Sequence, residues 1–109
     1  MLVVEDDPAV RTSLKFSLEA EGYSVRIFSD AGSLLADMDL PARGCIVIDY
    51  FLPDSTGLEL VHALRKRGVT LPAILVTTDP SLELLSSAGA ARVPIVEKPL
   101  FGNTLTEEI

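Results

Sequence analysis

Short apolar runs alternate along this chain with longer segments of helical periodicity. Leu2-Val3-Val4, Cys45-Ile46-Val47-Ile48 and Ala73-Ile74-Leu75-Val76 are unbroken and rich in Val, Ile and Leu. Such runs read as parallel strands buried on both faces. The first strand is placed at about Leu2 to Glu5. Asp7-Pro8 opens a helix, with Asp7 as N-cap and Pro8 in its first turn. Val10, Leu14, Leu18 and neighbouring Phe16 form the apolar stripe of that helix, and Gly22 ends it. A second strand spans about Tyr23 to Phe28. A second helix follows Ser29-Asp30 and carries Leu34, Leu35 and Met38, and Pro41 to Gly44 turn the chain. The third strand is about Cys45 to Asp49. After a loop from Tyr50 to Thr56, a third helix carries Leu58, Leu60, Val61 and Leu64 and stops at Gly68. The fourth strand is Ala73 to Thr77, and Asp79-Pro80 repeats the cap-then-proline start for a short helix ending at Gly89. The fifth strand is about Val93 to Glu97. Pro94 cannot donate a ladder hydrogen bond, so that strand belongs at a sheet edge. A fifth helix is expected from Gly102-Asn103, cut short at the end of the chain. Strand and helix alternate throughout, which predicts a parallel sheet covered on both faces.

Polar chemistry gathers at one end of these strands. Glu5, Asp6 and Asp7 follow the first, Asp49 ends the third, Thr77 ends the fourth and Lys98 follows the fifth. Right-handed connections bring the carboxyl ends of parallel strands to one rim, where open α/β sheets bind ligands. Converging carboxylates repel one another unless a cation joins them. A hard divalent ion held by oxygen, Mg²⁺, suits that site. Lys98 is the only cation that the sequence places beside it. Together the residues supply phosphoryl transfer to an aspartate: Asp49 as carboxylate nucleophile, Glu5 and Asp6 holding the metal, and Thr77 and Lys98 on the phosphoryl oxygens. Each residue alone has a plainer reading. Asp7 suits a helix cap better than a ligand, Glu5 and Asp6 suit a polar strand end, and Asp49 suits a turn. Thr77 alone is a strand residue and Lys98 alone a solvated one.

Composition narrows the field. At 109 residues the chain is one domain, and an apolar fraction of 48% is ample for one core. The net charge of −7 argues against direct nucleic-acid binding. Arg65-Lys66-Arg67 reads as a solvated helix end favoured by the helix dipole. The single cysteine, Cys45, excludes an internal disulfide and reads as a small buried hydrophobe. His62 is the only histidine, reads as a surface residue, and leaves no material for a multi-histidine metal site. With no leader pattern and no apolar stretch of spanning length, a cytoplasmic domain away from membranes is expected.

The order and spacing of Val3-Val4-Glu5-Asp6-Asp7-Pro8, of Asp49-Tyr50-Phe51-Leu52-Pro53-Asp54-Ser55-Thr56-Gly57, of Leu75-Val76-Thr77 and of Lys98-Pro99 resemble the receiver domain of two-component response regulators. The resemblance covers residues 1–109. It implies a flavodoxin-like five-stranded parallel sheet of order 2-1-3-4-5 with helices on both faces. It implies that Asp49 accepts a phosphoryl group from a sensor histidine kinase or a histidine phosphotransfer protein, and that partner binding, homodimer formation included, changes as a result. It implies Mg²⁺ held by Asp6, Asp49 and the Phe51 backbone carbonyl, with Glu5 acting through water, and a cis Lys98-Pro99 bond. Such a domain catalyses its own phosphorylation and dephosphorylation without turning over an external substrate.

The chain also departs from the family pattern. Thr78 stands where Ala or Gly is usual, narrowing access to the site. Phe51 and Asp79 occupy positions that influence dephosphorylation in relatives, and an apolar Phe51 side chain cannot orient a water. Ile95 stands where relatives carry an aromatic that rotates on activation, and the stretch from Thr77 to Lys98 is short. These departures keep open an alternative, a degenerate receiver that serves as a phosphorylation-independent binding module. A haloacid-dehalogenase-type phosphatase would need Asp-x-Asp after the first strand, where Glu5 stands. A flavin binder would need a phosphate loop where acids stand.

Overall fold

The computed structural model describes residues 1–37, 40, 44–77 and 81–97. Five strands, β1 (Leu2–Val4), β2 (Arg26–Phe28), β3 (Ile46–Asp49), β4 (Ala73–Thr77) and β5 (Ile95–Glu97), form one sheet. Its order is β2-β1-β3-β4-β5 and every pairing is parallel. Four helices, α1 (Pro8–Ala20), α2 (Ala31–Ala36), α3 (Gly57–Lys66) and α4 (Leu82–Ala90), connect successive strands. The parallel sheet is what the alternation of apolar runs predicts, and its order is the flavodoxin-like one that the resemblance to receiver domains implies.

Side-chain alternation divides the core in two. Leu2, Val4, Ile46, Ile48, Ala73 and Leu75 face one way, towards Leu34 of α2, Leu60 and Leu64 of α3 and Leu84 of α4. Val3, Val47, Ile74, Val76 and Val96 face the other way, towards Leu14 and Leu18 of α1. The three inner strands are buried along their whole length, whereas Arg26 and Ile27 of edge strand β2 are exposed.

Several sequence expectations are corrected. Phe16 is 76% exposed and lies off the α1 stripe. It stands two residues from Leu14 and from Leu18, about half a helical turn away from their face. Strand β2 begins at Arg26 rather than Tyr23, because Tyr23 closes the end of α1 by donating from its N–H to the Leu18 carbonyl at 3.1 Å. Strands β1 and β3 are each one residue shorter than expected, leaving out Glu5 and Cys45. Pro94 precedes β5 instead of lying inside it, and its carbonyl accepts from the Leu75 N–H at 2.9 Å. The edge placement of β5 holds. Helix α4 starts at Leu82 and is capped by Ser81, whose side chain accepts from the Leu84 N–H at 3.0 Å. Gly89 lies within α4 and does not end it.

Three helices end in the same two bonds. The residue after the C-cap donates to the carbonyl three positions back, and the next residue donates five positions back. The pairs are Gly22 with Tyr23, Gly68 with Val69, and Arg92 with Val93. This is the Schellman closure, which places its first residue in the left-handed region. Gly22 and Gly68 adopt φ of 97° and 82°, while at the end of α4 an arginine, Arg92, adopts 59°. The expected contribution of Met38 to α2, most of the turn from Pro41, the Asp79-Pro80 pair and the fifth helix all fall outside the described residues, as does the Lys98-Pro99 peptide.

Candidate functional site

Strand β3 lies between β1 and β4, so the carboxyl end of each reaches the same rim. Val4 is level with Ile48, and Asp49 with Val76. Asp49 therefore sits between the acids that follow β1 and Thr77, the last residue of β4. The chain leaves β1 and β3 in opposite directions along the sheet, and a crevice opens outside such a switch point.

Glu5, Asp6 and Asp49 each bring a carboxylate oxygen within 4.8 Å of the others. Glu5, Asp49 and Thr77 are the buried polar side chains of the described core, while Asp6 is exposed. The burial of Glu5 is supported on both sides. Its Oε1 accepts from the Asp7 N–H at 3.2 Å, and its backbone carbonyl accepts from Arg11 Nη1 at 3.0 Å. Two ionised carboxylates at 4.8 Å repel by roughly 3.5 kcal/mol at an effective dielectric near 20. A divalent cation reverses that sign, and oxygen donors clustered at this spacing fit a hard cation. The acid cluster is thus suited to hold Mg²⁺ next to Asp49.

Asp7 is turned away from this work. Its Oδ1 accepts from the N–H of Ala9 at 2.9 Å and of Val10 at 3.4 Å, as the cap reading requires. Phe51 is the second residue of the loop after Asp49. It bridges to Thr56, its ring meets Tyr50 edge-on at 4.8 Å, and it is 67% exposed. Thr56 and Glu59 form a reciprocal capping box that starts α3, and the Gly57 N–H donates to the Tyr50 carbonyl at 2.6 Å. Lys98 and Thr78 fall outside the described residues. His62 is exposed and Cys45 buried, as expected, and burial pushes the Cys45 thiol above its ordinary value.

Two neighbours of the site were not anticipated. Arg11 adds a guanidinium at the Glu5 carbonyl, where the sequence placed Lys98 as the sole cation. Asp54 reaches α2 with its carboxylate. The capping box was legible as Thr56-x-x-Glu59, but the bond from Asp54 spans more than twenty residues and leaves no local signal.

The sequence matches the response regulator receiver domain family over residues 1–109. This chain belongs to that family. The transcriptional regulatory protein FixJ of Azorhizobium caulinodans is 41% identical over 101 residues, 89% of this chain and 46% of that protein. FixJ of Bradyrhizobium diazoefficiens is 32% identical over 108 residues, 98% of this chain and 53% of that protein. Among solved structures, a CheY-like receiver domain protein from Methanospirillum hungatei superposes with a TM-score of 0.86 at 34% identity, covering 98% of this chain and 86% of that one. Full-length FixJ from B. japonicum gives 0.88 at 30% identity, covering 99% of this chain and 54% of that one. The receiver domain spans about half the length of the FixJ proteins it matches.

Proposed function

We propose that this receiver domain is a phosphoacceptor switch, with Asp49 taking a phosphoryl group from the phosphohistidine of a sensor histidine kinase or a histidine phosphotransfer protein. The observation that carries the reading is the convergence of Glu5, Asp6 and Asp49 within 4.8 Å at the rim of the sheet. An Asp49 carboxylate oxygen forms a bond to phosphorus as the P–N bond of the donor breaks, and that electron pair returns to the imidazole. Hydrolysis later releases phosphate and restores the carboxylate. Asp6, Asp49 and the Phe51 carbonyl would hold Mg²⁺, with Glu5 acting through water. When bound, the ion neutralises charge on the transferring oxygens. The Thr77 hydroxyl donates to one of those oxygens, and Lys98 places its charge on another.

The acid cluster is intact, which favours this switch over a binding module that has lost its chemistry. No helix of the described residues is long and apolar enough to cross a membrane. We place the domain in the cytoplasm, with any nucleic-acid contact made outside this acidic chain.

Intact-mass spectrometry after incubation with acetyl phosphate and Mg²⁺ tests the proposal. The parent should gain one phosphoryl group and Asp49→Asn none. A parent left unmodified by acetyl phosphate and by a phosphohistidine donor would refute it.

A further inference from the structure

Asp54 stands three residues beyond Phe51 in the β3–α3 loop, yet its carboxylate leaves that loop. Its two oxygens accept from α2, Oδ1 from the Ala31 N–H at 3.1 Å and Oδ2 from the Gly32 N–H at 2.9 Å. The first N–H groups of a helix have no partner within it. Asp30, the cap of α2 itself, takes a third, accepting from the Ser33 N–H at 2.7 Å. Two carboxylates therefore share one helix start, one local and one from the loop beside Asp49. Position 32 accommodates the visitor because it has no side chain: a Cβ there would come within 3.2 Å of Asp54 Oδ2.

The rest of the loop is closed on itself. Phe51 bridges to Thr56, the Leu52 N–H donates to the Ser55 carbonyl at 3.1 Å, and Gly57 is bonded to Tyr50. Those contacts fix the shape of the loop. The bonds from Asp54 fix where the loop stands relative to the start of α2.

We infer that Asp54 is a positioning residue, which docks the loop on α2 and thereby aims the Phe51 carbonyl at a divalent cation held by Asp6 and Asp49. The inference rests on the metal reading proposed above. Coupling of this kind is mutual. A metal that takes the Phe51 carbonyl also steadies the bonds from Asp54 to α2, so metal binding is felt at Ala31 and Gly32.

The test uses the intact domain and Mg²⁺ alone, followed by amide shifts of Tyr50 to Leu52, with hydrogen exchange at Ala31 and Gly32. Asp54→Ala should weaken Mg²⁺ binding roughly tenfold, in the range set by loss of an outer-shell partner. Asp54→Asn keeps one acceptor oxygen and should lose less. Asp30→Ala removes the other cap of the same helix and should leave the affinity within about twofold of the parent, since only loop position sets the metal site. Mg²⁺ should slow exchange at Ala31 and Gly32 in the parent and not in Asp54→Ala. An Asp54→Ala protein that binds Mg²⁺ like the parent while Asp6→Ala does not would overturn this inference alone. So would an Asp30→Ala protein weakened as much as Asp54→Ala, because helix stability would then suffice. Parent-like binding by Asp6→Ala would overturn the metal reading and this inference with it.

Discussion

Replacing Gly57 by alanine adds one methyl group where the site has no room for it. Gly57 is the first residue of α3, and its N–H is bonded to the Tyr50 carbonyl. A Cβ there would lie 2.8 Å from the Asp49 carbonyl oxygen, 2.8 Å from Leu75 Cδ2 and 3.0 Å from Ile48 Cγ2. None of these can withdraw cheaply. Asp49 belongs to β3, which is paired on both sides, and Leu75 and Ile48 are fully buried. Overpacking of this kind costs about 1–3 kcal/mol. The reduced freedom of the unfolded chain returns about 0.4–1 kcal/mol. The net expectation is a loss of roughly 1–2 kcal/mol, with α3 pushed away from the end of β3. Gly89 supplies the control, because it is helical and exposed, and a Cβ there meets nothing within 4 Å. Gly89→Ala should gain about 0.5–1 kcal/mol. Urea unfolding followed by circular dichroism measures both, with an unchanged slope confirming a stability effect. Amide shifts at Asp49 and Tyr50 should move in Gly57→Ala and stay in place in Gly89→Ala. Equal gains in both variants, with the Asp49 amide unmoved, would show that α3 yields freely and that the close approach has no bearing on Asp49.

Arg92→Gly should raise stability by about 1 kcal/mol, since a residue with a Cβ is held there in the left-handed region; a lower urea midpoint would mean that the arginine side chain stabilises more than its backbone costs. Burial raises the Cys45 thiol in the folded state above the unfolded value of about 8.5. The unfolded chain then loses its proton first, so the stability from this group is complete below about pH 8.5 and is lost as pH rises towards the folded value. Urea midpoints from pH 7 to 10 should decline more steeply in the parent than in Cys45→Ala, and parallel curves would exclude the thiol as the cause. Hydrogen bonds from Ser33, its side chain first, hold the Asp30 carboxyl below the usual carboxylate range. The cap should accordingly persist until pH falls below the ordinary value of about 3.9, seen as retained exchange protection at the Ser33 amide, and early loss in the parent would contradict it.

Much of this protein is local and therefore readable along the chain. Val and Ile runs announce strands because burial on both faces leaves no polar alternation. Asp7-Pro8 announces α1 because a cap and a fixed φ act within one turn. The acids at the ends of β1 and β3 announce the site because right-handed crossovers send parallel strands to one rim. The misreadings have local causes of their own. Phe16 is apolar but off the stripe, and Gly89 resembled a terminator although α4 runs on to Ala90 and closes three residues later at Arg92.

Only the tertiary structure decided which distant groups meet. Asp54 finds the start of α2 from the β3–α3 loop, and Gly57 is small because the backbone of Asp49 and the side chain of Leu75 pass beside it. Such contacts depend on where the strands lie in the sheet, and a residue carries no local mark of a neighbour brought to it by folding. Hydrophobic periodicity and capping therefore determined the elements and the acid rim, while the packing of β3 between β1 and β4 determined how closely Glu5, Asp6 and Asp49 converge and what holds the loop beside them.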